Sequence, residues 1–535
     1  MSANVDPKTH VFLAADSNQA LGIGQFAVNF MHGKSGSTGG RGEPDASVLR
    51  RTNMFHVDAT ICGLSALALR TNAPTILRNE ALRYHAAPRG LGTLSAPGSP
   101  MGRPGATVFG SNADCMPEKA IVANSSAVRE WDSNGTNFGY NPALGHTAGE
   151  FGHNDFYPVA IAAAQLMGED GDFALRGMIL LDEIRGRLAE VFSLKTYKID
   201  HVLHGGIASA ATYGAMMGAT PEQIESAIGM VVAHHVPFRA IRHGKQLSDS
   251  KGASAAITTE AAIVAMQRSM AGFIGPKDIF RNAEAVFCLF QKPPQKGMSP
   301  FNLALARAGS DFAVMGMHFK LGLYEHQSAG AHQALLNLLA KNPGLLAAKD
   351  ASRISKIRIV AYEPAYSIIG DPAKKDPRTR QSADHSMAFI IARLLVRALK
   401  SGSADWATNM LSPYDYDPAA INDPLTRSIM AKIDFVHGGD EYDRRYPEGI
   451  PTSMIITDDK GAEHDSGLVM FPAGHARNTD ADLEGILAHK FRLLGSLAVS
   501  DPDTIIKRFD NLEEKSADDI RDLNNFSIAY KEKFE

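Results

Sequence analysis

The sequence predicts a mainly α protein with an inserted α+β domain, and three observations carry this. From Phe156 to about Met270 the pattern is helical and rich in small residues. Later the period changes to two: Ile354, Lys356, Arg358 and Val360 alternate with Ser355, Ile357, Ile359 and Ala361, as a strand requires. From Asp480 to Gly495 the helical period returns. The predicted order is a helical body over residues 1–275, opened by an irregular N-terminal extension, then an α+β insertion over 276–471, then a C-terminal helical segment over 472–535 that returns to the body.

Local signals place the elements. Gly33–Ser47 and Pro88–Ala106 are rich in Gly, Pro and Ser and read as loops. Thr220-Pro221-Glu222-Gln223 opens a helix, with Thr220 as N-cap, Pro221 in the first turn and Gln223 completing a capping box. Ser453–Thr457, the polar Asp459-Lys460-Gly461 and Gly467–Phe471 read as a β-hairpin.

Composition narrows the function. The 535 residues are 44% hydrophobic, enough for a large core and too many for one simple core, so at least two domains are expected. A net charge of −4 without basic tracts argues against nucleic acid as partner. No segment has the roughly 18–20 apolar residues of a membrane span. The start has neither a signal-peptide core nor a transit-peptide composition, so a cytoplasmic setting is expected. Cys62, Cys115 and Cys288 are far apart, which argues against a disulfide framework, a zinc site or an iron–sulfur cluster.

Polar residues concentrate in a few segments. Ile241–Gly252 places Arg242, His243, Lys245 and Lys251 between two helices, in a loop suited to a multiply anionic ligand. A solvated basic loop is the competing reading. Asp132 and Thr136 precede His146, His153, Asn154 and Asp155 just before a helix start, a natural anion site unless Asn154 or Asp155 merely caps the helix. Asp200, His201 and His204 stand before a Gly/Ala run that reads as core packing. Lys320, Tyr324 and His326 precede an alanine-rich helix, and Arg378, Arg380, Asp384 and His385 lead into another. Gly474-His475 and Thr479 read as a structural turn and cap.

Taken in order, these segments resemble the MmgE/PrpD family. The resemblance rests on FHVDATICGLSALAL, Asp132 and Thr136 with Gly152-His153, Asp200-His201, Arg242-His243 with Lys251, Phe319-Lys320 with His326, Asp384-His385 and PAGHARNTDADLEGILAHKF. It spans about residues 50–500, and the paired motifs are nearest to the 2-methylcitrate dehydratase branch. It implies a helical body built from both chain ends, an α+β lid, an active site between them, a homodimer, and no metal or organic cofactor. Carried over, the catalytic set is Asp132, His153, His201, Lys251 and Lys320. Thr136, Arg242, His243, Tyr324 and His326 are the candidates for binding substrate, a small polycarboxylate.

The chemistry fits. Dehydrating a hydroxy-tricarboxylate needs a base for the proton alpha to a carboxylate, positive charge to stabilise the resulting anion, and an acid for the leaving hydroxyl. Histidine and lysine supply these functions. The stretch between Thr136 and His153 is longer than the family pattern and holds a second histidine, His146. The first fifty residues match poorly. Decarboxylation or epimerisation of a related polycarboxylate starts from the same acidity, and a carboxylate-binding homologue without turnover is the alternative of another class.

Overall fold

The computed structural model describes residues 6–35, 40–86, 103–242 and 246–534. His243 and Lys245 lie outside the described residues, as does most of the Pro88–Ala106 loop.

The body is built around the helix Val202–Met216, every residue of which is buried. Against it pack the helices Gly171–Val191, Pro221–His234 and Asp249–Met270. Close approach is why its composition is so small. A Cβ on Gly205 would sit 1.9 Å from the Phe156 ring, and one on Gly206 would sit 2.8 Å from Thr258 Cγ2. The Gly/Ala run is thus core packing, as its composition predicts. The capping box at Thr220 forms as predicted, with Thr220 N donating to Gln223 Oε1 and Gln223 N to Thr220 Oγ1.

Two regular elements lie in the described part of the N-terminal extension. His10–Leu13 pairs antiparallel with Leu303–Ala306, and the helix Gln19–His32 buries Ile23, Phe26, Phe30 and Met31. Its apolar face packs on Pro221–His234. The early helix Ala46–Ala68 and the C-terminal helix Leu483–Ala498 pack on each other. Asp482 caps the latter helix; Thr479 does not.

The α+β part holds a four-stranded sheet ordered Glu463–Asp465, Thr452–Asp458, Ile354–Ala361, Ile433–His437. The last pair is parallel and the others antiparallel. A register shift between Ile354 and Lys356 lets Ile354 share the buried face with Ile357, Ile359 and Ala361. The expected hairpin turn is present, but its second strand is Glu463–Asp465 rather than Gly467–Phe471. Gly467, at φ +72°, turns the chain away, and Val469 returns to meet Thr452 in a single bridge. The architecture is mainly α with a small α+β part.

Candidate active site

Asp132 is the hub. It follows the helix Pro117–Arg129 with a left-handed backbone, φ +52°, a conformation Asp tolerates better than most residues but at a cost of about 1 kcal/mol. The turn that this makes leads into the two-residue strand Thr136–Asn137, which pairs with Gly152–His153 so that Thr136 lies opposite His153. On its other side Thr136 exchanges backbone hydrogen bonds with His318, at 3.0 and 2.6 Å. Two short pairings therefore bring Asp132, His153 and Lys320 together from three segments.

The Asp132 carboxylate is fully buried and surrounded by three cations and an imidazole. Arg129 lies 2.5 Å away and one helical turn earlier, Lys320 donates to it, His385 Nε2 lies 3.2 Å away, and Lys251 Nζ 3.7 Å. Burial alone would push this carboxyl up; Arg129, Lys320, His385 and Lys251 together hold it well below the usual carboxylate range. Lys320 Nζ also donates to the Asp132 carbonyl (3.1 Å) and lies 3.3 Å from His153 Nδ1. Lys251 donates to Asp384 Oδ1 at 3.0 Å, and the His385 ring lies 2.6 Å from the same oxygen. Burial lowers both lysines below their ordinary value.

Lys251 corrects a sequence expectation. It is not in a basic loop but in the first turn of the helix Asp249–Met270, 2% exposed. The loop reading fails because Asp249 and the small residues after it are compatible with helix. Asn154 and Asp155 do not cap the helix Pro158–Met167; Tyr157 occupies the N-cap. Asp155 instead accepts from Asn134 Nδ2 at 2.6 Å and lies 3.7 Å from Arg129.

A second cluster adjoins the first. The His153 and His201 rings are 5.2 Å apart. Asp200 Oδ1 is 3.3 Å from His201 Nδ1, and the same carboxylate is held bidentately by Arg242. Neither His201 nitrogen has a hydrogen-bond partner among the described residues. Burial pushes both histidines well below their ordinary value, with Arg129 and Lys320 adding to the effect at His153. Both are neutral imidazoles at neutral pH. With Nδ1 facing Asp200, His201 Nε2 is the nitrogen free to take a proton.

The remaining expected residues are less central. Thr136 Oγ1 donates to the Gly152 carbonyl at 3.2 Å. His326 Nε2 is 3.1 Å from His318 Nδ1. Tyr324 sits against His332, and its hydroxyl accepts from Leu321 N. His146 pairs with Glu190 at 2.9 Å, on a groove of about 590 Å³ that the Asp132 cluster does not line.

Sequence reasoning left several participants out of the site set. Arg129 carried one signal, its i, i+3 spacing to Asp132. Asp384 and His385 were visible as a motif but not as partners of Lys251. Asp58 and Lys490, from helices at opposite ends of the chain, form a buried ion pair at 2.6 Å. Lys490 Nζ also donates to the carbonyls of Ser133 (2.6 Å) and Lys320 (2.8 Å), fixing the backbone on both sides of the hub. Asp132, Asp384 and His385 bring donor atoms within 4.8 Å of one another. Lys251, Lys320 and Arg129 already neutralise those oxygens, so the donor set suits protein cations better than a bound dication.

Residues 43–298 match the MmgE/PrpD N-terminal domain and residues 324–514 the MmgE/PrpD C-terminal domain. The chain belongs to the MmgE/PrpD family. Among curated MmgE/PrpD-like relatives, 2-methylcitrate dehydratase of Escherichia coli K12 is 25% identical over 432 residues, 77% of this chain and 82% of the relative. The mitochondrial 2-methylcitrate dehydratase of Yarrowia lipolytica is 26% identical over 329 residues, 59% and 58% of the two chains. Alkylcitrate dehydratase phiI of Talaromyces stipitatus is 26% identical over 310 residues, 57% and 58%. Among the described residues of this MmgE/PrpD protein, no helix is long and apolar enough to cross a membrane.

Proposed function

We propose that this protein is a cofactor-independent hydro-lyase that dehydrates a small hydroxy-polycarboxylate of the 2-methylcitrate type. The observation that carries the reading is His201. It is a buried imidazole, pushed by burial toward its neutral form, with Asp200 Oδ1 3.3 Å from Nδ1 and no hydrogen-bond partner at Nε2 among the described residues, beside the Lys320–Asp132–Arg129 cluster. His201 Nε2 takes the proton alpha to a substrate carboxylate. Arg129, Lys251 and Lys320 stabilise the charge that spreads onto that carboxylate, in a site where burial strengthens each interaction. Asp132 keeps the three cations in place and offsets part of their mutual repulsion. His153, held at Nδ1 by Lys320, presents its other nitrogen to substrate. Arg242 acts through Asp200, by fixing the carboxylate that orients His201. The dehydratase names of relatives covering most of this chain agree with this chemistry.

The test is a screen of hydroxy- and unsaturated polycarboxylates read three ways: absorbance of the conjugated double bond, released carbon dioxide, and solvent-proton exchange. Dehydration of 2-methylcitrate or a close analogue is expected. Carbon dioxide as the main product, or exchange without net loss of water, transfers the assignment to decarboxylation or epimerisation. We also propose a homodimer, which sedimentation at micromolar concentration tests; a stable monomer rejects it.

A further inference from the structure

The three segments that deliver Asp132, His153 and Lys320 meet in pairings only one or two residues long. Ladders that short have little stability of their own. Between the two strands, residues 138–151 also make a long excursion before the chain returns at Gly152–His153. A further group must hold the strands in register.

We propose that Arg185, on the helix Gly171–Val191, is a positioning residue that sets His153 and His201 for the reaction; this rests on the hydro-lyase reading above. Its guanidinium touches all three segments. Nη1 donates to Asn137 Oδ1 at 3.2 Å, one residue after Thr136, and to the Gly152 carbonyl at 3.5 Å, one residue before His153. Nη2 donates to Met317 Sδ at 3.3 Å, next to His318, whose backbone pairs with Thr136. The Gly152 carbonyl also accepts from Thr136 Oγ1, so side chains close the strand pair from two directions.

His201 is reached across Gly152 and Phe156. A Cβ on Gly152 would sit 3.2 Å from Asn137 Oδ1, 3.5 Å from Arg185 Nη1 and 3.8 Å from His201 Cδ2, so the clamp and the imidazole border the same small gap. The guanidinium also lies 5.8 Å from the Phe156 ring, which packs on Gly205 in the helix that His201 opens.

Arg185 is itself anchored. It is buried, its Nε and Nη2 lie 2.6 Å from Asp182 Oδ1 one turn earlier on the same helix, and Tyr157 donates to the other Asp182 oxygen at 2.5 Å. Asp182 offsets the buried charge and leaves Nη1 to bridge the strands. Each of the three nitrogens faces a protein acceptor, so Arg185 acts through the histidines rather than on substrate. The planar fork suits this task, because its N–H groups point in fixed directions; an ammonium would keep the charge beside Asp182 without spanning both strands.

Two variants test the clamp separately from the ion pair. Arg185→Lys keeps a cation beside Asp182, and Gly152→Ala leaves the Arg185–Asp182 pair in place while putting a methyl group into the shared gap. In both, kcat per folded molecule, measured well below the melting temperature, is expected to fall by about ten- to a hundredfold, with KM within about threefold of wild type. That is the scale on which misplacing a reacting group by about 1 Å acts. A purely structural role would lower the folded fraction and leave kcat per folded molecule unchanged. Hydrogen–deuterium exchange supplies a readout that needs no turnover: in Arg185→Lys, uptake over residues 136–154 should rise while that over Val202–Met216 stays as in wild type. If both variants keep kcat per folded molecule within about threefold of wild type, or if exchange over 136–154 is unchanged, the proposal is overturned. A loss confined to KM overturns it too, since that would mark a substrate-binding group. If wild type turns over no hydroxy-polycarboxylate, the functional reading fails separately, and the exchange series still decides whether Arg185 clamps the strand pair.

Discussion

Lys490 Nζ lies 2.6 Å from Asp58 Oδ1, with both side chains fully buried and 432 positions between them in sequence. The pair joins the first and last parts of the body directly beneath the Asp132 turn. Its lysine also holds the Ser133 and Lys320 carbonyls, so it supports the backbone on both sides of Asp132.

Lys490→Met should therefore destabilise the protein by about 3–5 kcal/mol, because it strands a buried carboxylate. The double variant Lys490→Met/Asp58→Leu should recover a large part of that loss, while activity stays low because the two carbonyls remain unheld. Urea unfolding and steady-state kinetics on the same samples test both statements.

His201→Asn should lower kcat by about 10²–10⁴-fold, the range expected for losing a positioned base. Asp200→Asn should do less, since the imidazole remains but loses its orienting charge. Equal, small effects of both substitutions on the true substrate would remove His201 from the role of base.

Lys251→Ala should cost at least about a hundredfold in turnover, the scale of one good electrostatic contribution. Because Lys251 is buried against Asp384 and Asp132, a loss of thermal stability should accompany it. Lys251→Arg should rescue poorly, since a planar fork does not fit the space of an ammonium. Unchanged turnover in Lys251→Ala would reduce it to a structural cation.

Acid should unfold this protein early. Burial pushes His56 down to about 4, and His204, His332, His385 and His475 down to about 3. The unfolded chain, with ordinary histidines near 6.5, binds protons that the folded chain refuses, so stability is present above that value and is lost as pH falls below it. Circular dichroism should show a steep transition between about pH 6 and pH 4. Stability independent of pH over that range contradicts the buried neutral state of these rings.

Turnover should survive prolonged chelation, given that Arg129 and Lys320 hold the Asp132 carboxylate and Lys251 holds Asp384 Oδ1. Loss of activity on chelation, restored by a divalent cation, would reverse this expectation.

The sequence showed the fold class through periodicity, and the places where it misled have local causes. A register shift of one residue blurred the alternation in Ile354–Ala361, and the positive φ of Gly467 moved the second hairpin strand. The Asp132, His153, His201, Lys251 and Lys320 set was legible as motifs, and the structure draws these residues into two adjoining clusters. What motifs do not carry is pairing across the chain. Nothing near Lys251 announces Asp384, and nothing near Asp58 announces Lys490. Burial of charge is decided by tertiary packing, and a single sequence shows charge without depth.

The dependence of the Asp132 turn on Leu483–Ala498 has a consequence for synthesis. During translation the early helix Ala46–Ala68 and the turn at Asp132 emerge long before Lys490 is made. Until then Asp58 lacks its counter-ion, and the Ser133 and Lys320 carbonyls lack their donor. The nascent chain must hold these groups in water or with a chaperone, since folding in order from the N-terminus cannot bury them cheaply. Chains released before that helix would carry Asp132, His153, His201, Lys251 and Lys320 without the buried lysine that supports the Asp132 turn.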